Sequence, residues 1–350
     1  MIDLRQAWPR PTAPRPIVFV GAGAIVRTAH LPAYTRLQFP IAGVFDLCRA
    51  TAEQTARQFG GLKVFASLGE ALATAGAIVD VAVPGTAIAG VLSQLPHGSA
   101  VLIQKPMGET LGAAREILAV CRERELVAAM NFQLRFSPNM MALNDLVAAN
   151  RLGDLTDIEV RIVDRQPWEQ WSFLKRAPRL EVLYHSIHYL DAIRWIAGEP
   201  HGVMCRAIAH PRFDQFADTR STIVLDYGNR IRCSLVLNHT HRQDDRHRES
   251  MLKIEGTTGA ALLTLGVNLE YPSGPPDRLE VALDGTWEAV PLRGSWFTEA
   301  FEGPMSNLQR YVAGEDTALV SSVSDAIKTM ALVEACYASS AAGSTPVPTV

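Results

Sequence analysis

Nowhere in these 350 residues is there a run of roughly 18 apolar residues, the least that crosses a bilayer as a helix. Residues Met1–Arg15 contain no apolar segment, and Pro9, Pro11, Pro14 and Pro16 forbid a helix there. Neither a secretory signal nor a membrane anchor is therefore expected at that end. A flexible leader is the expectation for this Pro-rich arm, ahead of a folded arm that embraces a partner subunit. Cysteine is scarce: Cys48, Cys121, Cys205, Cys233 and Cys336 are odd in number and without C-x-x-C spacing. That argues against a disulfide framework or a zinc site and for reduced thiols in a cytoplasmic protein. Charge of one sign is lacking too; a net −3 gives no general reason to bind nucleic acid or an anionic membrane. Internal repeats are absent. What remains, 48% hydrophobic and 20% charged residues, is the composition of a globular chain with room for two domains.

The stretch that organises the chain is Ile17-Val-Phe-Val-Gly-Ala-Gly-Ala-Ile-Val26. Ile17–Val20 reads as a buried parallel strand, Gly21 and Gly23 as a tight turn, and Ala24 as the opening of a helix. Such a turn aims backbone N–H groups and a helix dipole at whatever lies above the strand, usually a pyrophosphate. A second apolar strand, Ile41–Phe45, ends in Asp46, about where a carboxylate meets an adenosine ribose. The third fingerprint position is Val26 rather than Gly or Ala, so this helix is expected to sit further from its strand. Strands at 63–65, 77–83, 100–103 and 126–130 then alternate with helices at 50–59, from Ser67 (a capping box with Glu70), from Gly85 to Leu95, and at 111–124. Six such alternations predict a doubly wound parallel sheet, an α/β Rossmann domain over residues 1–135. Right-handed crossovers place Gly21–Gly23, Asp46, Pro84, Gln104–Pro106 and Asn131 along one strand-end edge, where everything functional in this half is expected.

After about residue 140 the pattern changes. Strand-like runs at 155–163, 203–209, 221–226, 231–237, 251–255, 279–283 and 288–292 are separated mostly by loops. Only Glu181–Ala197 reads as a helix among them, with two more at 297–313 and 324–340. This predicts an α+β domain over 136–350 with a mostly antiparallel open sheet covered by helices on one face. The bare face suggests that the chain forms a homo-oligomer through that sheet.

At Gln104-Lys105-Pro106 the chain resembles the glucose–fructose oxidoreductase, inositol dehydrogenase and rhizopine-catabolism (Gfo/Idh/MocA) oxidoreductases, from about Ile17 to the C-terminus. Gly21-x-Gly23, Asp46, Pro84, Lys105-Pro106, Asn131–Pro138, His188-x-x-Asp191, the Ile254–Gly259 turn and the closing Ala326–Gly343 helix carry the likeness. Three positions depart from the family's pattern: Gln104 replaces a Glu, Tyr184 replaces an acid four before the histidine, and Ile88 replaces a histidine after Pro84. The resemblance implies an NAD-dependent dehydrogenase of sugars, polyols or their derivatives, with Lys105 hydrogen-bonding the substrate hydroxyl beside the catalytic His188. It implies oligomers built on the second domain as well.

The residues themselves support part of this. Lys105 leaves the sheet at a strand C-terminus, where burial and a nearby nicotinamide would disfavour its ammonium form. His188 shares a polar helical face with Tyr184, His185 and Asp191, beside an apolar stripe of Leu183, Ile187, Leu190 and Ile193. An imidazole is suited near neutral pH to take a hydroxyl proton as hydride leaves the same carbon. Tyr184 or His185 would take over the missing carboxylate's supporting role. Tyr184, His185, Asp191, Asn131, Arg135 and Trp168 are the candidate substrate contacts, although Trp168 and Trp171 read first as interdomain packing and second as a wall for a sugar ring. Gly21, Gly23, Ala24, Ile25, Asp46, Arg49, Val83, Pro84, Gln104 and Lys105 are the candidate cofactor contacts. Asp46 points to NAD, and Arg49 leaves NADP open. His239 and His241 end a strand on one side and read as polar residues rimming the substrate cleft; no metal is expected. Two alternatives stay open: an NAD-dependent glycosidase-like enzyme with transient internal redox, and a non-catalytic dinucleotide or sugar sensor.

Overall fold

The structure, a computed structural model, describes residues 4–349. It divides into two compact units, Met1–Ala142 with Arg293–Met330, and Leu143–Leu292 with Ala331–Val350.

The first unit is built on five parallel strands: β1 (Ile17–Val20), β2 (Ile41–Phe45), β3 (Ile78–Val81), β4 (Ala100–Ile103) and β5 (Val127–Met130), in the order β2-β1-β3-β4-β5. The sixth expected strand, at 63–65, contributes only a bridge, Val44 to Val64, because this short segment bonds the β2 edge through Val44 alone. Both faces of the sheet are buried, which is why β1 and β4 read as continuous apolar runs and β3 as one interrupted only by Asp80. Val26 is wholly buried among Ile17, Phe19, Ala22 and Tyr34, and it opens a π-helical turn, Val26–His30, before the helix Leu31–Arg36. The wide turn, in which Leu31 N–H donates to Val26 C=O, is how this chain seats bulk where a glycine would pack.

From Trp8 to Arg15 the N-terminal arm is not the flexible leader its prolines suggest; its first three residues lie outside the described ones. Trp8 Nε1 donates to Asp316 (2.7 Å), Thr12 N to Glu315 (3.0 Å) and Arg15 N to Gln309 (2.7 Å), while Trp8 packs edge-on to Phe136. Side chains of 309–316 satisfy donors that have no helix or sheet of their own.

The second unit carries an eight-stranded sheet: β6 (Leu155–Val163), β7 (Gly202–Ile208), β8 (Arg220–Asp226), β9 (Arg232–Asn238), β10 (Glu249–Gly256), β11 (Ala260–Thr264), β12 (Arg278–Ala282) and β13 (Trp287–Ala289). The order is β13-β12-β11-β10-β6-β9-β8-β7, with every pair antiparallel except β6 with β9. Alternation is strict: Ile223, Leu225, Cys233, Leu235 and Leu237 are buried, while Thr222 and Val236 on the opposite face are exposed. β11 escapes prediction because Ala-Ala-Leu-Leu-Thr carries a β-branched residue only at its last position. The helix Pro138–Ala148 was missed as well; Met140, Met141, Ala142 and Leu143 are buried in succession and leave no one-sided stripe.

Candidate active site

In a parallel sheet all strand C-termini lie on one edge, and the first unit collects its predicted cofactor residues there. Gly21, at φ +100°, lies so close to the end of β3 that a Cβ would stand 2.3 Å from Ala82 O; only glycine fits. Gly23 faces open space, with nothing within 4 Å of where its Cβ would be. Ala24 and Ile25 follow at the helix start, exposed and half-buried. The Asp46 carboxylate is oriented by two backbone donors, Ala22 N (2.9 Å) and Cys48 N (2.8 Å), which tie it to the glycine turn. A carboxylate accepts about four hydrogen bonds, so capacity remains for ribose hydroxyls. An open glycine turn beside an oriented carboxylate fits a dinucleotide. Arg49 is instead drawn along its own helix to Glu53, at 2.9 Å. Val83 and Pro84 reach the same edge half-buried and exposed.

Lys105 follows β4 through a cis peptide to Pro106. Burial pushes its ammonium down from 10.5 to about 8. Behind it lies a polar network that the sequence reading did not find. Gln104 Oε1 accepts from Lys105 N (2.7 Å), and Gln104 Nε2 and Asn131 Nδ2 stand 3.0 and 3.2 Å from His30 Nε2. His30 Nδ1 meets Asp80 Oδ2 at 2.9 Å, and Tyr34 OH donates to the same oxygen at 2.7 Å. Burial and then the Asp80 charge push the Tyr34 phenol well above its usual range. One signal did point here: Asp80 is a lone charge in an apolar strand, and a buried carboxylate demands partners. Arg135 stands apart from this group, its guanidinium bound to Asp325 (2.6 Å) and Val320 O (2.9 Å).

In the second unit a π turn, Val182–Ser186, precedes the helix Ile187–Ala197 and shifts the register of the predicted polar face. Tyr184 turns to Phe173 (5.9 Å between centroids) and joins the cluster of Trp168, Leu174, Leu180 and Phe216. His185 lies edge-on to His188 at 6.5 Å and close to His239 at 3.9 Å. Asp191 is buried, 3.9 Å from the Arg194 guanidinium. Trp168 packs edge-on to His185 and His239 at 6.0 and 5.5 Å. His239 does not rim a cleft: it continues the buried face of Cys233, Leu235 and Leu237 and is itself fully buried, while His241, beyond the end of β9 at Asn238, turns to Asp244 O.

His239 sits between two buried carboxylates, Nδ1 at 2.7 Å from Asp164 and Nε2 at 3.2 Å from Glu181. Burial alone would lower its pKa; the Asp164 and Glu181 charges overcome that and hold it at about 9. Asp164, His185 and His239 have the side chains of a metal set, their ligand atoms within 4.8 Å of one another. Both His239 nitrogens are committed to carboxylates, so the arrangement as folded holds a proton.

Comparison with known proteins agrees with this fold. The oxidoreductase-family model with an NAD-binding Rossmann fold matches residues 15–132, and the GFO/IDH/MocA C-terminal domain model matches residues 140–262. The chain is 26% identical over 262 residues to D-apiose dehydrogenase of Paraburkholderia graminis, covering 71% of this chain and 66% of that protein, just under two thirds. It is 25% identical over 198 residues to D-glucoside 3-dehydrogenase of Escherichia coli, 54% of this chain and 56% of that one. An oxidoreductase from Agrobacterium radiobacter, solved with NAD+, L-tartaric acid and magnesium, shares the fold at a TM-score of 0.77 and 20% identity, covering 94% and 97% of the two chains. With both domain models matched in order along it, the chain belongs to the GFO/IDH/MocA family of NAD-binding oxidoreductases.

Proposed function

We propose that this protein oxidises or reduces a secondary alcohol or hemiacetal carbon of a sugar, polyol or sugar derivative, with NAD(H) as its redox partner. The observation that carries the reading is Lys105: a lysine with a proton made labile by burial, on the strand edge that holds the Gly21 turn and Asp46. The names of the relatives, D-apiose dehydrogenase and D-glucoside 3-dehydrogenase, support the sugar class.

NAD, when bound, supplies the hydride acceptor. The Gly21–Gly23 turn would hold its pyrophosphate and Asp46 its ribose, which favours NAD over NADP by charge. Lys105 donates a hydrogen bond to the reacting oxygen and stabilises its developing negative charge. His188 takes the hydroxyl proton, and His185, edge-on to it and anchored at His239, fills the supporting role of the absent carboxylate in preference to Tyr184.

Met204, Ile208 and Val236 lie exposed on one face of the second unit's sheet, and that face is our proposed homodimer or homotetramer surface. Five free thiols support a reducing, cytoplasmic setting. Among the described residues no helix is long and apolar enough to cross a membrane.

The test is absorbance at 340 nm with NAD against a panel of monosaccharides, polyols and sugar acids. NADH growth with one class, lost in Lys105→Ala while NAD still binds, is the expected result. No growth with any member in either direction would overturn the proposal.

A further inference from the structure

The departure at Gln104 has a structural counterpart. A backbone N–H can only donate, so the 2.7 Å contact from Lys105 N fixes Gln104 Oε1 on that side and leaves Nε2 facing His30. An amide NH2 can only donate in turn, so His30 Nε2, 3.0 Å away, is the acceptor and carries no proton. The ring's one proton is then on Nδ1 and is donated to Asp80 at 2.9 Å. Asn131 Nδ2, at 3.2 Å, is a second donor to the same bare nitrogen. Phe19 and Phe301 also pack near the ring, at 6.4 and 5.3 Å between centroids, as does Tyr34, which shares Asp80. Among the described residues Asp80 and Tyr34 are the titratable groups in contact with His30, and all five polar members of the network are buried.

We propose that Gln104 is a positioning residue for Lys105, its carboxamide joining the lysine's backbone to a neutral, Nδ1-protonated His30 that Asp80 and Tyr34 hold in place. A glutamate at 104 would accept from Lys105 N equally well. Its second oxygen would face His30 Nε2, a contact that requires a proton between them; with Nδ1 already donating to Asp80, an ionised glutamate there makes the ring an imidazolium. Glutamine and neutral histidine are therefore a matched pair. The functional half of this inference rests on the substrate-facing role given to Lys105; the protonation half stands on geometry alone.

Two readouts separate the halves. The first is the imidazole 15N spectrum of the intact NAD-loaded chain, with His30 assigned by His30→Gln. Wild type is expected to show one protonated and one bare ring nitrogen at neutral pH; in Gln104→Glu both are expected to be protonated. The second is kcat and KM for NAD with whichever sugar the panel identifies. Gln104→Met, which can neither accept from Lys105 nor donate to His30, is expected to lose roughly ten- to a hundredfold in kcat with little change in KM, the scale of a misplaced reacting group. Gln104→Glu is expected to restore most of that kcat. An imidazolium in wild type, or a bare Nε2 in Gln104→Glu, overturns the pairing whatever the panel finds. Full activity in Gln104→Met overturns the positioning role. A panel without a substrate defeats the functional reading and leaves the nitrogen result to decide the pairing.

Discussion

The imidazolium at His239 makes a prediction about stability against pH. Its pKa is held at about 9 in the folded chain, against 6.5 for an ordinary histidine. A cation whose folded pKa is raised stabilises the fold fully below the unfolded value, and that contribution drains away as pH rises through the folded value. The shift is 9 minus 6.5, and at 1.36 kcal/mol per unit it amounts to about 3 kcal/mol at pH 6, about 1 kcal/mol at pH 8, and roughly nothing above pH 9. Other groups tilt the wild-type curve. Lys105 tilts it oppositely, since its folded pKa is lowered to about 8 and the cost of burying its ammonium fades between there and 10.5. Slopes from groups that do not touch His239 are common to wild type and a His239→Gln variant, so the difference between the two isolates the histidine with its two carboxylate partners.

The assay is urea unfolding of both proteins, followed by tryptophan fluorescence, from pH 6 to pH 10; Trp168 packs edge-on to the ring at 5.5 Å and reports locally. His239→Gln is expected to be the less stable at pH 6. The gap should narrow by about 3 kcal/mol as pH rises past 9, leaving a constant offset from lost packing. A gap that stays flat across the range would refute the reasoning, because it would mean the folded chain carries a neutral ring between Asp164 and Glu181.

Two further outcomes are expected. Asp46→Asn removes the charge that repels a 2′-phosphate and keeps an acceptor for one of the two backbone donors of residues 22 and 48, so the NADP/NAD ratio of kcat/KM should rise by roughly tenfold, about 1.4 kcal/mol; an unchanged ratio would remove Asp46 from the cofactor site. Light scattering should give a multiple of the 38.2 kDa chain mass, and Met204→Lys with Val236→Lys should shift it toward the monomer. Wild-type monomers at tens of micromolar would refute the sheet-face interface.

Local patterns carried the fold. Ile17–Val20, Ile41–Phe45 and Ala100–Ile103 were legible to the residue because buried parallel strands are short apolar runs with sharp ends. The strand-end edge was legible too, since Gly21, Asp46 and Lys105 each mark the end of such a run. Where the reading failed, the cause was lost periodicity or distance. The π turns at 26–30 and 182–186 each displace side chains by about one position, enough to turn Tyr184 to Phe173 and leave His185 beside His188.

The buried polar networks lay further out of reach. His30 and Asp80 are 50 positions apart, His30 and Gln104 are 74, and Asp164 and His239 are 75. No periodicity links such pairs; they meet only because the fold packs the Val26–His30 turn against β3 and the end of β4, and sets the ends of β6 and β9 side by side. What a sequence does expose is the anomaly each member creates by itself: an acid inside an apolar strand at 80, an amide at 104 where the resembled family has an acid. Burial makes both anomalies costly unless a complementary group lies opposite. For Gln104 that group is a histidine lacking a proton on the facing nitrogen, so a substitution that reads as a lost charge is, in the folded chain, one half of a hydrogen bond with a fixed direction.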